Sequence, residues 1–277
     1  WEQDVFVPRT FGIYQPVGDT VMPGGSSRAI RMIPAMVEIA EDVLRLAPEA
    51  LFFNYSNPMS PVCRGIRKAT GANVIGLCHG VHSVARYLAE EIGADLSAME
   101  TTAYGINHLT WFTGLNVDGR ELMPKVRSIA AQKVEEIRSA VSRNADVPTI
   151  PFTWELTNLT GAFPAVLDRH VVEFFPHMFG SKNGYYGKTL GVDCFGFEDV
   201  IERGDRIYAE MGDLANGTKP ISDKDLKGAE GEHEQVLDIV ESIRSGSGAR
   251  YSANVPNNGQ ISSLPDDAVI ECPCIAT

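Results

Sequence analysis

The sequence predicts an α/β protein in which a parallel sheet is followed by a mixed α+β domain. Within the first 80 residues, segments with helical apolar spacing alternate with short apolar runs, and this order is typical of parallel strands joined by right-handed crossovers. Further along, a pair of strand-like segments precedes a long helix-like segment. A chain of 277 residues with 44% hydrophobic residues can also bury a core without disulfides or metals.

Apolar spacing and helix-ending residues define the elements of the first part. Apolar residues recur every three or four positions between residues 27 and 46, which predicts a helix, and Pro48 ends it. Residues 1–27 are rich in turn formers. The other predicted elements are a buried strand at 50–54, a helix at about 59–69 and a second buried strand at 74–78.

After residue 80 the elements become mixed. The sequence predicts a helix at 81–92, strands near 97–105 and 110–117, a hairpin-like turn at 117–120 and a long helix at 122–143. Residues 164–179 and 221–245 are predicted to be helical, 246–260 to be a polar loop, and 271–277 to be strand-like.

Charge and composition exclude several functional classes. The chain has 24 Lys and Arg against 36 Asp and Glu, a net charge of −12, so it lacks the basic field that recruits nucleic acid or an anionic membrane. No apolar run approaches the roughly 20 residues of a membrane-spanning helix, and the start lacks signal-peptide features, so we predict a soluble, cytoplasmic protein. Five cysteines, of which only Cys272 and Cys274 are close in sequence, argue against a disulfide framework.

Two dipeptides carry the clearest chemical signal. Cys78-His79 follows the second buried strand, and Asn107-His108 lies in a polar turn between two predicted strands. A thiolate and an imidazole are ligands for a borderline divalent metal, and two protein ligands leave positions for substrate oxygens and water. Without further context, however, a strand-end cysteine is more often a small core residue, and a histidine near a turn is more often simply hydrogen-bonded.

Other polar residues permit both a functional and a structural interpretation. Asn54 and Asn57 flank a loop where the first strand ends, and their amides suit either a ribose or sugar hydroxyl or ordinary Asn-Pro turn chemistry. His170 and Glu173 share a helix face as a functional cluster or a surface ion pair would. Gly24-Gly25 would let backbone approach a ligand, but the sequence contains no GxGxxG phosphate turn.

Several segments together resemble glycoside hydrolase family 4, the glycosidases that depend on NAD and a divalent metal. Their order spans nearly the whole chain. The segments are GDT at 18–20, PGG at 23–25, RAIRMIP at 28–34, NYSNP at 54–58, GLCHGV at 76–81, GINHLTW at 105–111, DRHVVEF at 168–174 and LPDDAV at 264–269.

The resemblance implies a cofactor set and a mechanism. It implies that Cys78 and His108 hold Mn2+ or another divalent metal, that NAD is the cofactor and that His79 is the general acid. Hydride would leave C3 of the sugar, a base would remove the C2 proton, the C1 group would depart, water would add, and hydride would return. A histidine after the metal cysteine is similar to the branch acting on uronides, so the expected substrates are α-galacturonides or α-glucuronides.

The remaining roles are less directly transferable. Some branches of the family use a tyrosine base where this chain has a phenylalanine, so Asp168 and His170 are the candidate bases. Arg169 is expected to bind the uronate carboxylate, because a guanidinium can grip a carboxylate through two hydrogen bonds. We expect Asn54 at the cofactor, and Asn57 and Asn107 at the sugar.

The resemblance also divides the chain. Residues 1–80 are expected to be the C-terminal half of the NAD-binding Rossmann-type domain. Residues 81–277 are expected to be a catalytic and oligomerisation domain, incomplete at its C-terminus, resembling the C-terminal domain of lactate and malate dehydrogenases. Because the chain opens without methionine and lacks the glycine-rich NAD turn, we expect both ends to be cuts and the fragment to bind NAD poorly and be inactive.

The expected partner is a small carbohydrate, with no nucleic acid and no membrane, in a homodimer or homotetramer. Three alternatives remain: an NAD-dependent dehydrogenase of 2-hydroxy acids, an α-glucosidase or α-galactosidase of the same family, and a non-catalytic binding module. The metal pair Cys78 and His108 tests two of them, because a simple dehydrogenase does not need it and a binding module would tolerate its deletion. Activity on neutral α-glucosides alone would identify the other.

Overall fold

A computed structural model describes residues 2–143, 145–147, 149–175, 197–222 and 235–277, and an eight-stranded sheet runs through it. The helices are α1 (Glu2–Thr10), α2 (Met22–Leu46), α3 (Met59–Thr70), α4 (Gly80–Ile92), α5 (Met123–Ser142), α6 (Pro151–Thr160), α7 (Asp168–Phe174), α8 (Phe197–Ala215) and α9 (Gln235–Ser245). The strands are β1 (Phe52–Asn54), β2 (Val74–Gly76), β3 (Met99–Ile106), β4 (Leu109–Val117), β5 (Arg120–Glu121), β6 (Phe163–Pro164), β7 (Arg250–Pro256) and β8 (Val269–Ile275).

The first part has the predicted alternation of helices and parallel strands. β1 and β2 are paired in parallel, and the intervening helix α3 ends at Gly71, whose φ of +74° lies in the left-handed region. α2 and α3 pack against this pair through a buried apolar cluster that includes Val62, Ile66 and Val74. The predicted bounds of these helices and strands agree with the structure to within about five residues.

The sheet then continues with antiparallel pairing. Its strand order is β1-β2-β7-β8-β3-β4-β5, with β6 paired to β4. Among the described strands, β1 and β2 are the parallel pair, and the remaining pairs are antiparallel. Gly76 of β2 faces Asn254 of β7, so the sheet runs across the predicted domain boundary at residue 80, and the division into two domains stays a prediction.

A second core lies on the β3–β4 side of the sheet. Trp154 of α6, Phe163 of β6 and Phe112 of β4 are each 1% exposed or less, and they pack with α4 and α5. The rings of Trp154 and Phe163 meet edge to face with centroids 5.0 Å apart. This core fixes the β3–β4 hairpin, which carries Asn107 and His108, and α6, which binds Asp168 at the start of α7. Within the described part of the chain, no helix is both long and apolar enough to cross a bilayer.

Three local expectations were wrong. Residues 2–10 form α1, and the ion pair between buried Asp4 and Arg31, at 2.6 Å, holds this helix against α2. The helix expected over 164–179 begins at Asp168, because Phe163 and Pro164 pair with β4; residues 176–179 lie outside the described residues. Two helices, α6 and α8, were not predicted from the sequence. Residues 250–256 form β7 rather than a loop, because tertiary pairing with β8 on one side and β2 on the other outweighs their polar composition.

The expected helix over 221–245 is confirmed in its second part, as α9. Residues 223–234 lie outside the described residues. The strand-like reading of residues 271–277 is confirmed by β8.

Candidate functional site

The hairpin of β3 and β4 places His108 in a tight turn. Ile106 pairs with Leu109, so Asn107 and His108 alone form the connection, and His108 has a φ of +62°. A side chain at Gly105 would place its Cβ 2.2 Å from the Leu109 carbonyl oxygen, so this close approach of the two strands requires glycine. His108 is therefore held in a left-handed conformation that is uncommon for a residue with a side chain, as often occurs at functional sites.

His108 is buried and lacks a partner at one ring nitrogen. It is 7% exposed, and its Nδ1 atom is buried without a hydrogen-bond partner. Burial, together with the positive charge of Arg169, lowers the pKa of His108 to about 4. The ring is consequently neutral near pH 7, which is the form that binds a metal.

Helix α7 places two more potential metal ligands, His170 and Glu173, near His108. The rings of His108 and His170 have centroids 3.9 Å apart. One turn later, the Oε1 atom of Glu173 lies 2.5 Å from Nδ1 of His170. Burial lowers the pKa of His170 well below its ordinary value and raises that of Glu173 well above its own.

The loop before α2 completes this cluster from the other end of the sequence. The hydroxyl of Thr20 donates to Oε2 of Glu173, which lies 153 residues away along the chain. An added Cβ on Gly25 would lie 2.5 Å from the Thr20 carbonyl carbon, and one on Gly24 would lie 2.4 Å from the Gly18 carbonyl oxygen. Gly24 and Gly25 therefore leave room for the backbone of the preceding loop. The sequence suggested that a ligand would approach these glycines, but in the structure the chain itself occupies that space.

His108, His170 and Glu173 together fit a divalent cation. Their ligand atoms all lie within 4.8 Å of one another, and among the described residues this is the group of three His, Cys, Asp or Glu side chains so arranged. Two neutral imidazoles and a carboxylate suit the first-row divalent metals, and three protein ligands leave positions for substrate oxygens. Cys78, the other residue expected to bind metal, is not a member of this group.

Cys78 and His79 lie at the start of α4, where β2 ends. Burial, together with the nearby Glu271 carboxylate, raises the pKa of the Cys78 thiol to about 11. His79 directly precedes α4 and stacks on Tyr55, with ring centroids 5.8 Å apart and an angle of 27° between the planes. His79 is half-buried, and its role as general acid stays a prediction.

The sequence analysis missed Glu271, which lies beneath Asn107 and Cys78. It is 2% exposed, and the Thr110 hydroxyl donates to its Oε2 at 2.7 Å. Burial raises its pKa, while the amide of Asn107 acts in the opposite direction on both Glu271 and Cys78. An acidic residue inside the otherwise apolar strand VIECPCI is the sequence signal that would have identified it.

Asn54 and Asn57 occupy the turn after β1. The Asn54 side chain accepts from the Ser56 amide at 3.1 Å and donates to the Ser56 carbonyl at 3.1 Å, so its amide stabilises the turn itself. The carbonyl of Asn57 accepts from Nε of Arg28 at 2.9 Å, and the peptide bond that follows is cis. These contacts support the structural interpretation of Asn54, and its contact with a cofactor stays a prediction.

Asp168 and Arg169 open α7 but face different surroundings. Asp168 is fully buried and accepts hydrogen bonds from the amides of Phe152 and Thr153 and from the Thr153 hydroxyl, at 3.1, 2.8 and 2.6 Å. These bonds tie α7 to the start of α6. Arg169 is half-buried, and its charge acts on Asp19 as well as on the three residues of the cluster.

A cavity of about 580 Å³ adjoins the cluster at Thr20 and Asn107, a volume within the range of small-molecule sites. Arg64 and Lys68 line it, and both pair with Asp267, at 2.7 and 3.0 Å. Its apolar wall includes Val21, Ile33, Pro58, Met59, Ile106 and Phe174.

The structure thus gathers some of the predicted residues and separates others. His108, His170 and Arg169 meet around Glu173, while Asn107 lies beside Cys78. Asp168 is turned toward α6 and Asn54 into its own turn. The described residues hold no glycine-rich turn that would bind a dinucleotide pyrophosphate, so the cofactor fits this part of the chain incompletely.

Comparison with known proteins gives a consistent result. The model of the family 4 glycosyl hydrolases matches residues 1–94, and the model of the family 4 glycosyl hydrolase C-terminal domain matches residues 103–277. An α-galacturonidase of Bacillus subtilis is 32% identical over 282 residues, covering 98% of this chain and 61% of the relative. The chain spans about 60% of the length of the curated relatives that it matches.

Two solved structures show the same fold. A protein described as a putative glucosidase of Bacillus subtilis superposes with a TM-score of 0.76 at 28% identity, covering 100% of this chain and 64% of its own. A 6-phospho-β-glucosidase of Thermotoga maritima, solved with manganese, NAD+ and glucose-6-phosphate, superposes with a TM-score of 0.70 at 22% identity, covering 99% and 59%.

Proposed function

The chain belongs to glycosyl hydrolase family 4, and from this premise we propose that the full-length protein hydrolyses α-linked uronides, either galacturonides or glucuronides, with NAD and a manganese-type metal. The observation that carries the proposal is the buried, neutral His108, with an unpartnered ring nitrogen beside His170, Glu173 and the cation Arg169. The α-galacturonidase relative at 32% identity favours a uronide over a neutral sugar.

Cys78 and His108 are the metal ligands in this proposal. A divalent metal supplies Lewis-acid polarisation of the sugar oxygens when it is bound. The turn that strains His108 also fixes the direction of its ring. Asn107 precedes it in the same turn and lies beside Cys78, where its amide is in reach of a sugar hydroxyl.

His79 and Arg169 provide the proton donor and the carboxylate site. His79 stacks on Tyr55 at the start of α4, a contact that restrains its ring, and it protonates the departing group. Arg169 binds the uronate carboxylate, which needs a local cation because the chain carries a net charge of −12. Asn57, whose backbone carbonyl accepts from Arg28, is proposed to make a polar contact with the sugar.

Asp168 and His170 are the candidate bases for the C2 proton. Asp168 already accepts three hydrogen bonds, and burial raises its pKa to about 6. NAD is proposed for the full-length protein, with Asn54 near it. A homodimer or homotetramer in the cytoplasm is part of the same proposal.

A substrate panel tests the proposal directly. Full-length protein is assayed with p-nitrophenyl α-galacturonide, α-glucuronide, α-glucoside and α-galactoside, with and without NAD, Mn2+ and reductant. We expect turnover of a uronide only when both NAD and metal are present. Turnover without either one would refute the cofactor assignment, and turnover of neutral glycosides alone would refute the substrate class. Net reduction of NAD with a 2-hydroxy acid would favour the dehydrogenase alternative.

A further inference from the structure

We propose that His170 and Glu173 are ligands of the metal, so that His108, His170 and Glu173 bind one divalent cation through two imidazoles and a carboxylate. This inference rests on the proposed function for the presence of a metal at His108. It adds His170 and Glu173 to the pair Cys78 and His108 that the resemblance assigns, with Cys78 lying outside the group of three, and it removes His170 from the candidate bases.

The three side chains are close enough to bind one ion. The three ligand atoms lie within 4.8 Å of one another. Donors on opposite sides of a cation bound at about 2.0 to 2.4 Å are separated by roughly 4 to 5 Å, so one ion can reach all three. The rings of His108 and His170 are already together, with centroids 3.9 Å apart.

His108 has a ring nitrogen that is free to bind an ion. Nδ1 of His108 is buried and has no hydrogen-bond partner, although buried polar atoms in folded proteins are nearly always paired. The residue is 7% exposed, and its strained turn holds the ring against α7 instead of releasing it to solvent. An atom in this position indicates a ligand, and a neutral ring nitrogen is a metal donor.

Helix α7 presents the other two ligands on one face. His170 and Glu173 are three residues apart on α7 and therefore project from one face, the same spacing by which Glu and His of one helix share a metal in carboxylate metalloproteins. The Glu173 side chain is 1% exposed. Thr20 donates to its second oxygen and so holds the carboxylate in place.

The test is the binding of Mn2+ to the full-length protein, measured by electron paramagnetic resonance. We expect Glu173→Gln and His170→Gln each to weaken Mn2+ binding at least tenfold, the loss typical of removing a group that binds or orients a metal ligand. Glu91→Gln is the matched control. Glu91 is a partly buried carboxylate that is remote from the cluster in sequence, and it accepts a hydrogen bond from the Tyr87 hydroxyl at 2.9 Å. A loss below tenfold in either site variant would overturn the proposal.

A second measurement needs no variant and so survives a folding failure. Pulsed electron paramagnetic resonance of Mn2+ bound to the unmodified protein counts the directly bonded nitrogens, and the proposal requires two. One bonded nitrogen would overturn it even if uronides are hydrolysed. Two bonded nitrogens in a protein that cleaves no uronide would leave the metal site standing and reject only the proposed function.

Discussion

Gly25→Ala tests how the Thr20 loop is held against α7. The new Cβ would lie 2.5 Å from the Thr20 carbonyl carbon and 2.7 Å from its oxygen. Ordinary contacts begin at 3.4 Å, so the loop backbone must retreat by about 0.9 Å, which would draw Thr20 away from Glu173. Forcing a methyl group into packed backbone costs about 1 to 3 kcal/mol.

The matched control is Gly212→Ala on α8. An added Cβ at Gly212 meets nothing within 4 Å, so only the helix preference of alanine acts there, a gain of about 1 kcal/mol. Gly25 is also helical and should receive up to the same gain, so the packing cost of about 1 to 3 kcal/mol separates the two variants.

Urea unfolding of the full-length variants, followed by circular dichroism, measures the difference, and Mn2+ affinity provides a second readout. We expect Gly212→Ala to raise the unfolding midpoint and Gly25→Ala to fall below it while weakening Mn2+ binding. If Gly25→Ala matches Gly212→Ala in stability and binds Mn2+ like the unmodified protein, the reasoning about the loop is refuted.

Three further predictions follow from the same contacts. Asp168→Ala leaves three buried donors unpaired and should lower the free energy of unfolding in urea by about 3 kcal/mol or more. Asp205→Ala, at an exposed position, should change it by about 0.5 kcal/mol or less. Equal effects would contradict the structural role of Asp168. The pKa of His108 is about 4 in the folded protein and 6.5 ordinarily, so the unfolded chain binds the proton first as pH falls. The free energy of unfolding of the metal-free protein should therefore decrease by up to about 3 kcal/mol between pH 6.5 and 4. His108→Asn should make this decrease measurably smaller in urea unfolding at the two pH values. Gly105→Ala should distort the turn and weaken Mn2+ binding at least tenfold in a titration, while Gly114→Ala, whose nearest contact would be 3.6 Å, should bind normally.

Periodicity predicted the elements whose stability comes from a regular apolar face. α2, α3, α4 and α5 have such faces, and the short apolar runs became β1 and β2. β7 could not be predicted in the same way. It alternates Ser252 and Asn254 on one face with Tyr251 and Ala253 on the other, and its polar face is buried only because the sheet places it beside Gly76 and Glu271.

Some residues of the candidate site could be predicted from the sequence, but their arrangement could not. The strand end and the polar turn drew attention to Cys78 and His108, and the resemblance to the family assigned both to a metal, whereas Glu271 was missed. The contact between His108 and His170 depends on how α7 packs against the β3–β4 hairpin, and Thr20 reaches Glu173 across 153 residues. Such contacts are set by tertiary packing, which leaves no periodic signal in the sequence.

Solvent deuterium at C2 of the released sugar is the most direct test of the central claim that this family 4 chain is part of a glycosidase acting by elimination and addition. Full-length protein would be given p-nitrophenyl α-galacturonide in heavy water with NAD and Mn2+, and the product examined by NMR. A base that removes the C2 proton exchanges it with solvent, so the account predicts deuterium at C2 of the galacturonic acid. Released galacturonic acid that retains its original hydrogen at C2 would contradict it.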